Sequence, residues 1–193
     1  MARPADPLRR ETILNAAKEV FLEQGYSESR LADIASRAGV VISTLYLYYD
    51  SKEEMVRALA ERGQRNLGEQ LVPALAQFRG RDDLERLVTV VLDFAATHRD
   101  EIRLLILDSG LRSVPLGQGN YRGPNFPLAV RHFQNLMEQG YVRPYDPTML
   151  LELLAGFIRW TMTTYIHLSE QEVGVLKETC LQWLSHALLP SEL

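Results

Sequence analysis

The chain has 193 residues, 46% apolar and 24% charged, with a formal net charge of −4. That length fits one large domain or two small ones, and the apolar fraction is enough for a buried core. No apolar run reaches the ~18 uncharged residues of a membrane helix, and residues 1–10 are polar with no apolar signal core, so a cytoplasmic protein with no membrane contact is expected.

Apolar residues recur at helical spacing almost throughout, and strand-like alternation is never sustained. A first helix is expected over 7–24, with Ile13, Leu14, Ala17, Val20 and Phe21 on one buried stripe and Gly25 as its stop. Ser29 is positioned to cap a second helix that turns Leu31, Ile34, Ala35 and Ala38 inward, and Gly39 permits a sharp turn. A third short helix covers 42–48. The fourth starts near Ser51, with Glu53 and Glu54 at its positive end, and runs towards Leu75, where Pro73 should kink or end it. After a break over 80–83, a fifth helix is expected over 84–97 and a sixth over 101–111. Three glycines and two prolines bar regular helix from residues 112–125. A seventh helix starts at Pro127 and ends at Gln139 before Gly140. The eighth opens at Asp146-Pro147 and extends to Leu168, and the ninth, capped by Ser169, covers 170–189. The expected fold is therefore all-α with about nine helices. A three-helix head over 1–52 carries a helix-turn-helix, and a helical bundle follows over 53–193.

A helix, a glycine turn and a second short helix bearing hydroxyl groups and tyrosines make double-stranded DNA the first partner to consider. Charge supports this only weakly. Residues 1–65 carry ten Lys/Arg and ten Asp/Glu, and residues 66–193 carry eleven against fifteen. Affinity for a polyanion must come from a few placed contacts and from dimerisation rather than from a broad basic field.

Cys180 is the only cysteine and lies in an apolar helical pattern, which reads as a buried structural thiol. The four histidines lie far apart, and neither HExxH nor CxxC occurs, so no metal is expected. No nucleophile–base pair, paired carboxylates or phosphate-cradling glycine loop is present. No enzyme, catalytic residue or cofactor is therefore expected.

Phe21, Gly25, Tyr26, Ser29, Ile34, Ala35, Ala38, Gly39, Val40, Ser43, Thr44, Leu45, Tyr46, Tyr48, Tyr49, Lys52 and Glu53 occur in an order and spacing that resembles the head of the TetR family of transcriptional regulators. Two positions depart from that pattern. Val41 replaces a serine that caps the recognition helix, a loss of roughly 1 kcal/mol. Arg30 replaces a Ser/Thr and is expected to regain a phosphate contact.

The resemblance implies a ligand-responsive homodimer on a palindromic operator, most simply a repressor released by a small, largely apolar effector. The alternatives are a helical dimeric adaptor and an acyl-CoA or lipid-binding regulator that stays on DNA. Ile42, Ser43, Thr44 and Leu47 are expected to face base edges, with hydroxyls that discriminate weakly and alkyl groups suited to thymine methyls. Tyr46, Tyr48 and Lys52 match backbone-contacting positions, while Tyr49 belongs to the core.

The family dimerises through its last two helices, where Leu150, Leu153, Leu154, Phe157, Leu176, Leu181, Trp183, Leu184 and Leu188 serve either the interface or the monomer core. An effector pocket is implied among helices five to eight. Its candidates are Phe94, His98, Ile102, Leu105, Phe126, Phe133, Met137, Trp160, Thr161, Thr164 and Tyr165, with plain core packing as the alternative for each. Arg112 and Arg122 read as solvated loop arginines, or as partners of an anionic ligand.

Overall fold

The computed structural model describes residues 6–107 and 126–190. Among them are nine α-helices and no strand: α1 Pro7–Gln24, α2 Leu31–Arg37, α3 Ile42–Leu45, α4 Lys52–Ala76, α5 Arg81–Thr97, α6 Arg99–Leu107, α7 Phe126–Glu138, α8 Pro147–Tyr165 and α9 Glu170–Leu188. Residues 112–125, with Arg112 and Arg122, lie outside the described residues, as does the expected end of the sixth helix past Leu107.

Local chemistry accounts for most boundaries. Asp6 caps α1 by accepting from the Leu8 amide at 3.0 Å, with Pro7 in the first turn. Gly25, at φ 82°, closes α1 and donates its amide to Phe21. Ser51 Oγ accepts from the Glu54 amide at 3.2 Å, and Glu54 reaches back to the Asp50 amide at 2.6 Å, fixing the entry to α4. Ser169 and Glu172 form the same reciprocal box at α9.

Several boundaries differ from the sequence reading. α4 continues through Pro73 to Ala76, because the ring removes only one amide donor near a helix end that solvent and neighbours already support. α5 begins at Arg81, where Asp82 and Asp83 favour the first turn. α8 stops at Tyr165. Ser29 does not cap α2. Its buried hydroxyl donates to Tyr26 O at 2.7 Å, and Arg30 occupies the cap position with no side-chain bond.

The chain forms two compact units, of residues 1–65 with 100–116 and of residues 66–99 with 117–193, each bounded for description by the residues above. The expected division after residue 52 thus moves into α4, because Met55, Val56 and Leu59 are buried with Phe21, Ile34, Leu45 and Tyr49 in the first unit's core. Leu104 of α6 joins the same core. The core of the second unit gathers Phe78, Leu84, Val88, Leu92, Phe133, Leu136, Leu150, Leu176, Cys180 and Leu184, with α5 packed on both α8 and α9. No helix among the described residues is long and apolar enough to cross a membrane.

The capping box carries a pH signature. Hydrogen bonds from the Ser169 side chain and backbone hold the Glu172 carboxyl below the usual carboxylate range. A carboxyl held low in the folded chain contributes stability above its unfolded pKa and loses it as pH falls through the folded value. The thermal midpoint is therefore expected to fall as pH drops from neutral through the carboxylate range, and Glu172→Gln should flatten part of that decline in calorimetry at stepped pH.

Candidate nucleic-acid interface and apolar cavity

The first unit holds α3 by its inner side. Leu45 and Tyr49 are 0% and 1% exposed, respectively, and they anchor the segment in the core. Burial pushes the Tyr49 phenol up, and its ring lies under the Arg10 guanidinium at 4.5 Å. With Leu45 and Tyr49 inward, helical geometry turns residues 43 and 47 to the opposite side, while residues 42 and 46 flank the inward face and are open to solvent where the short helix begins and ends. Ile42, Ser43, Tyr46 and Leu47 are all exposed, Leu47 at 77%, and Val41 extends the same apolar-rich tip. Thr44 is half-buried beside them.

Regular α-helix ends at Leu45, earlier than expected. Residues 46–48 continue as turns through Leu47 N to Thr44 O and Tyr48 N to Leu45 O, the tighter winding common at helix ends. Gly39, at φ 65°, makes the preceding turn from α2, a conformation that disfavours other residues.

The residues expected at phosphates have different surroundings. Arg30 is exposed at the start of α2, and Tyr46 presents its ring to solvent. Tyr48 packs partly against the core, and its hydroxyl accepts from the Asp6 amide at 3.4 Å. Lys52 has partners inside the head. Its ammonium donates to Tyr26 O at 2.6 Å and Ser29 O at 2.7 Å, and sits 4.6 Å from the Tyr26 ring centroid. A cation at a helix start opposes the dipole, and here carbonyls of the α1–α2 connection stabilise it. Glu53 stands next to it, where the Tyr26 hydroxyl holds its carboxyl below the usual range.

In the second unit, α4, α5, α7, α8 and α9 line a cavity of about 230 Å³. Leu71, Leu75, Phe78, Leu84, Val88, Val91, Leu154, Phe157, Ile158 and Leu188 are among its walls, with Thr161 and Cys180 supplying polar atoms. Of the eleven sequence candidates, Phe133 and Thr161 line it. Phe94 is buried and stacks on His98 at 4.0 Å, away from the lining. Ile102 is buried in α6, and Leu105 packs on the core of the first unit, so both fall outside this cavity. Met137 and Tyr165 pack on the second core, Thr164 is half-buried, Phe126 lies at the start of α7, and Trp160 is exposed. The walls that sequence reasoning missed are aliphatic positions on α4, α5 and α9. Their spacing marks an inward face but does not separate a cavity wall from solid core.

The nine residues assigned to the last two helices also divide. Leu150, Leu176, Leu181, Leu184 and Leu188 are buried in the monomer core, and Leu154 and Phe157 line the cavity. Leu153 remains 70% exposed and Trp183 54% exposed.

The pattern of bacterial regulatory proteins of the tetR family matches residues 13–59, the segment that builds α1 to the start of α4. The chain is similar to the fatty acid metabolism regulator protein of Bacillus subtilis, 28% identical over 89% of this chain and 81% of that protein. It is 33% identical to an HTH-type transcriptional regulator of Mycobacterium tuberculosis over 73% of this chain and 66% of the relative. Its match to another B. subtilis HTH-type regulator spans about half of that relative's length (52%). Among solved structures, FadR from B. subtilis in complex with stearoyl-CoA aligns with TM-score 0.65 at 20% identity, over 91% of this chain and 97% of that one. These relatives are transcriptional regulators and not enzymes. Head geometry, family pattern and full-length likeness agree, and the chain belongs to the TetR family of transcriptional regulators.

Proposed function

We propose that the protein is a repressor that binds a palindromic operator as a homodimer and is released by a small, largely apolar effector held in the α4–α9 cavity. The observation that carries this reading is the outward tip of Ile42, Ser43, Tyr46 and Leu47, fixed from behind by Leu45 and Tyr49. A tip of alkyl groups and one or two hydroxyls reads thymine methyls and groove shape more than it reads donor–acceptor patterns. Arg30 and Tyr46 set the register on phosphates. One such tip covers too few base pairs for useful specificity, so two are needed, one per half-site.

Effector and operator act through population shift. The effector binds better to a conformation whose two heads do not match successive major grooves, DNA binds better to the other, and each weakens the other by the same factor. The relative named for fatty acid metabolism, and the related structure holding stearoyl-CoA, make acyl compounds the first class to titrate. The same resemblance supports a second reading, in which an acyl-CoA binds without releasing DNA.

Fluorescence anisotropy with the chain's own promoter fragments tests the assignment. Tyr46→Phe should weaken binding about two- to tenfold on every sequence, as expected for one lost phosphate bond. Thr44→Ala should instead relax the preference at one base-pair position of each half-site. Binding that is indifferent to both changes would remove this tip from the interface.

A further inference from the structure

The cavity carries more chemical information than its apolar character. The Cys180 thiol is the one ionisable group in its described wall, and burial pushes that thiol up, so at neutral pH it is an uncharged S–H donor. Beside it, on the neighbouring helix, stands the Thr161 hydroxyl, 3.9 Å from the sulfur. Both side chains are more than nine-tenths buried. Every other described wall residue is Leu, Val, Ile, Phe or Ala. A hydroxyl–thiol contact at that length is weak and leaves both groups with capacity for a further partner.

We propose, on the reading that this cavity is the effector site, that its ligand is an alkyl chain of about eight to ten carbons bearing one uncharged oxygen, and that this oxygen meets Thr161 Oγ1 and Cys180 Sγ. Size follows from packing. An apolar cavity of about 150 Å³ accepts a benzene ring, and one of about 230 Å³ accommodates roughly half as many carbons again. Charge follows from desolvation. A carboxylate placed here exchanges water for two neutral donors, one of them a weak thiol, whereas an alcohol, ketone, ester or thioester oxygen exchanges one neutral hydrogen bond for another. A fatty alcohol and a medium-chain acyl thioester share this chemistry.

Calorimetric titration of the full chain with nonan-1-ol, nonanoate, n-butylbenzene, decanoyl-CoA and stearoyl-CoA tests the proposal. Nonanol should bind at least about tenfold more tightly than nonanoate. Thr161→Val should weaken nonanol about five- to tenfold and leave n-butylbenzene unchanged. Ala155→Leu fills the same space without touching the polar pair, and it should abolish binding of both probes while leaving thermal unfolding unshifted or raised. It keeps the test decisive if Thr161→Val fails to fold. Displacement of nonanol by decanoyl-CoA supports the shared chemistry and identifies the thioester as its source. Nonanoate binding as tightly as nonanol, full-strength nonanol binding by Thr161→Val or by Ala155→Leu, or binding of stearoyl-CoA with neither nonanol nor decanoyl-CoA each overturns the proposal. A labelled operator fragment in every titration separates this inference from the reading beneath it. Nonanol that binds as expected yet leaves operator affinity unchanged overturns the release mechanism alone, whereas release by stearoyl-CoA alone overturns this inference alone.

Discussion

Lys52→Met should destabilise the first unit by about 2–4 kcal/mol and leave the salt dependence of operator binding unchanged. The ammonium bridges Tyr26 O and Ser29 O, the carbonyls that close the α1–α2 connection, and rests against the Tyr26 ring. Methionine keeps the apolar stem but donates nothing. Tyr26 O retains the Ser29 hydroxyl, while Ser29 O loses a charge-assisted partner. Because α2 starts directly after this connection, its loosening frees the helix that supports α3. Hydrogen exchange of amides 26–49 should show the loss, with amides of α9 unaffected. Binding isotherms across salt concentrations distinguish the structural role from a phosphate contact. A lysine on a phosphate would lower the slope by roughly one unit per protomer when removed, and a lysine inside the head would not.

If the chain acts as the proposed homodimer, Leu153→Arg combined with Trp183→Glu should leave it monomeric and weaken operator binding by about 100-fold or more, since the second half-site contact then loses its effective concentration. Leu153 and Trp183 are large apolar side chains left open on α8 and α9, together with Met149, Trp160 and Val175. Five large apolar side chains left open on two helices are more than the scattered singles of an ordinary surface and point to an interaction face. Trp183 is also held in position, its ring stacked on Phe157 at 5.1 Å with an interplanar angle of 11°. A rigid aromatic anchor of this type loses little entropy on association, which favours it as a central contact. Charges of opposite sign are used so that the double variant keeps its net charge while burying either group becomes costly. Sedimentation velocity reads the oligomeric state directly. A double variant that remains dimeric would place the interface elsewhere.

The head was legible in the sequence because its constraints are local. Gly25 and Gly39 mark positive φ, Ser51 and Glu54 mark a helix start, and the 3.6-residue pattern assigns Leu45 and Tyr49 inward. Ser43 and Leu47 follow outward by geometry, whereas Ile42 lies on the Leu45 side and is open because α3 begins there. The internal partners of Lys52 were not legible, for a different reason. Periodicity gives the direction of a side chain but not the identity of its partner, and the carbonyls of residues 26 and 29 become neighbours only after folding.

The cavity was the least legible part. Its walls come from five helices, and Leu84, Val88 and Leu188 are the same residue types that fill solid core. Aromatic residues drew attention to Phe94 and Trp160, yet one is buried against His98 and the other faces solvent. Thr161 and Phe133 line the cavity, whereas Thr164, chosen on the same ground of a hydroxyl on an apolar helix, does not.

Glu101, at the start of α6, lies 2.9 Å from Lys18 Nζ on α1 and 3.6 Å from Arg62 on α4, and Arg62 also donates to Asn15 Oδ1 at 2.7 Å. One negative charge is thereby tethered to two rods at once, and neither tether lengthens without altering the load on the other. The far end of the same α1 holds Tyr48 through Asp6 and Arg10. Within the first unit a single carboxylate thus serves as the knot joining three helices, and its loss would leave Lys18 and Arg62 facing one another without a shared counter-charge.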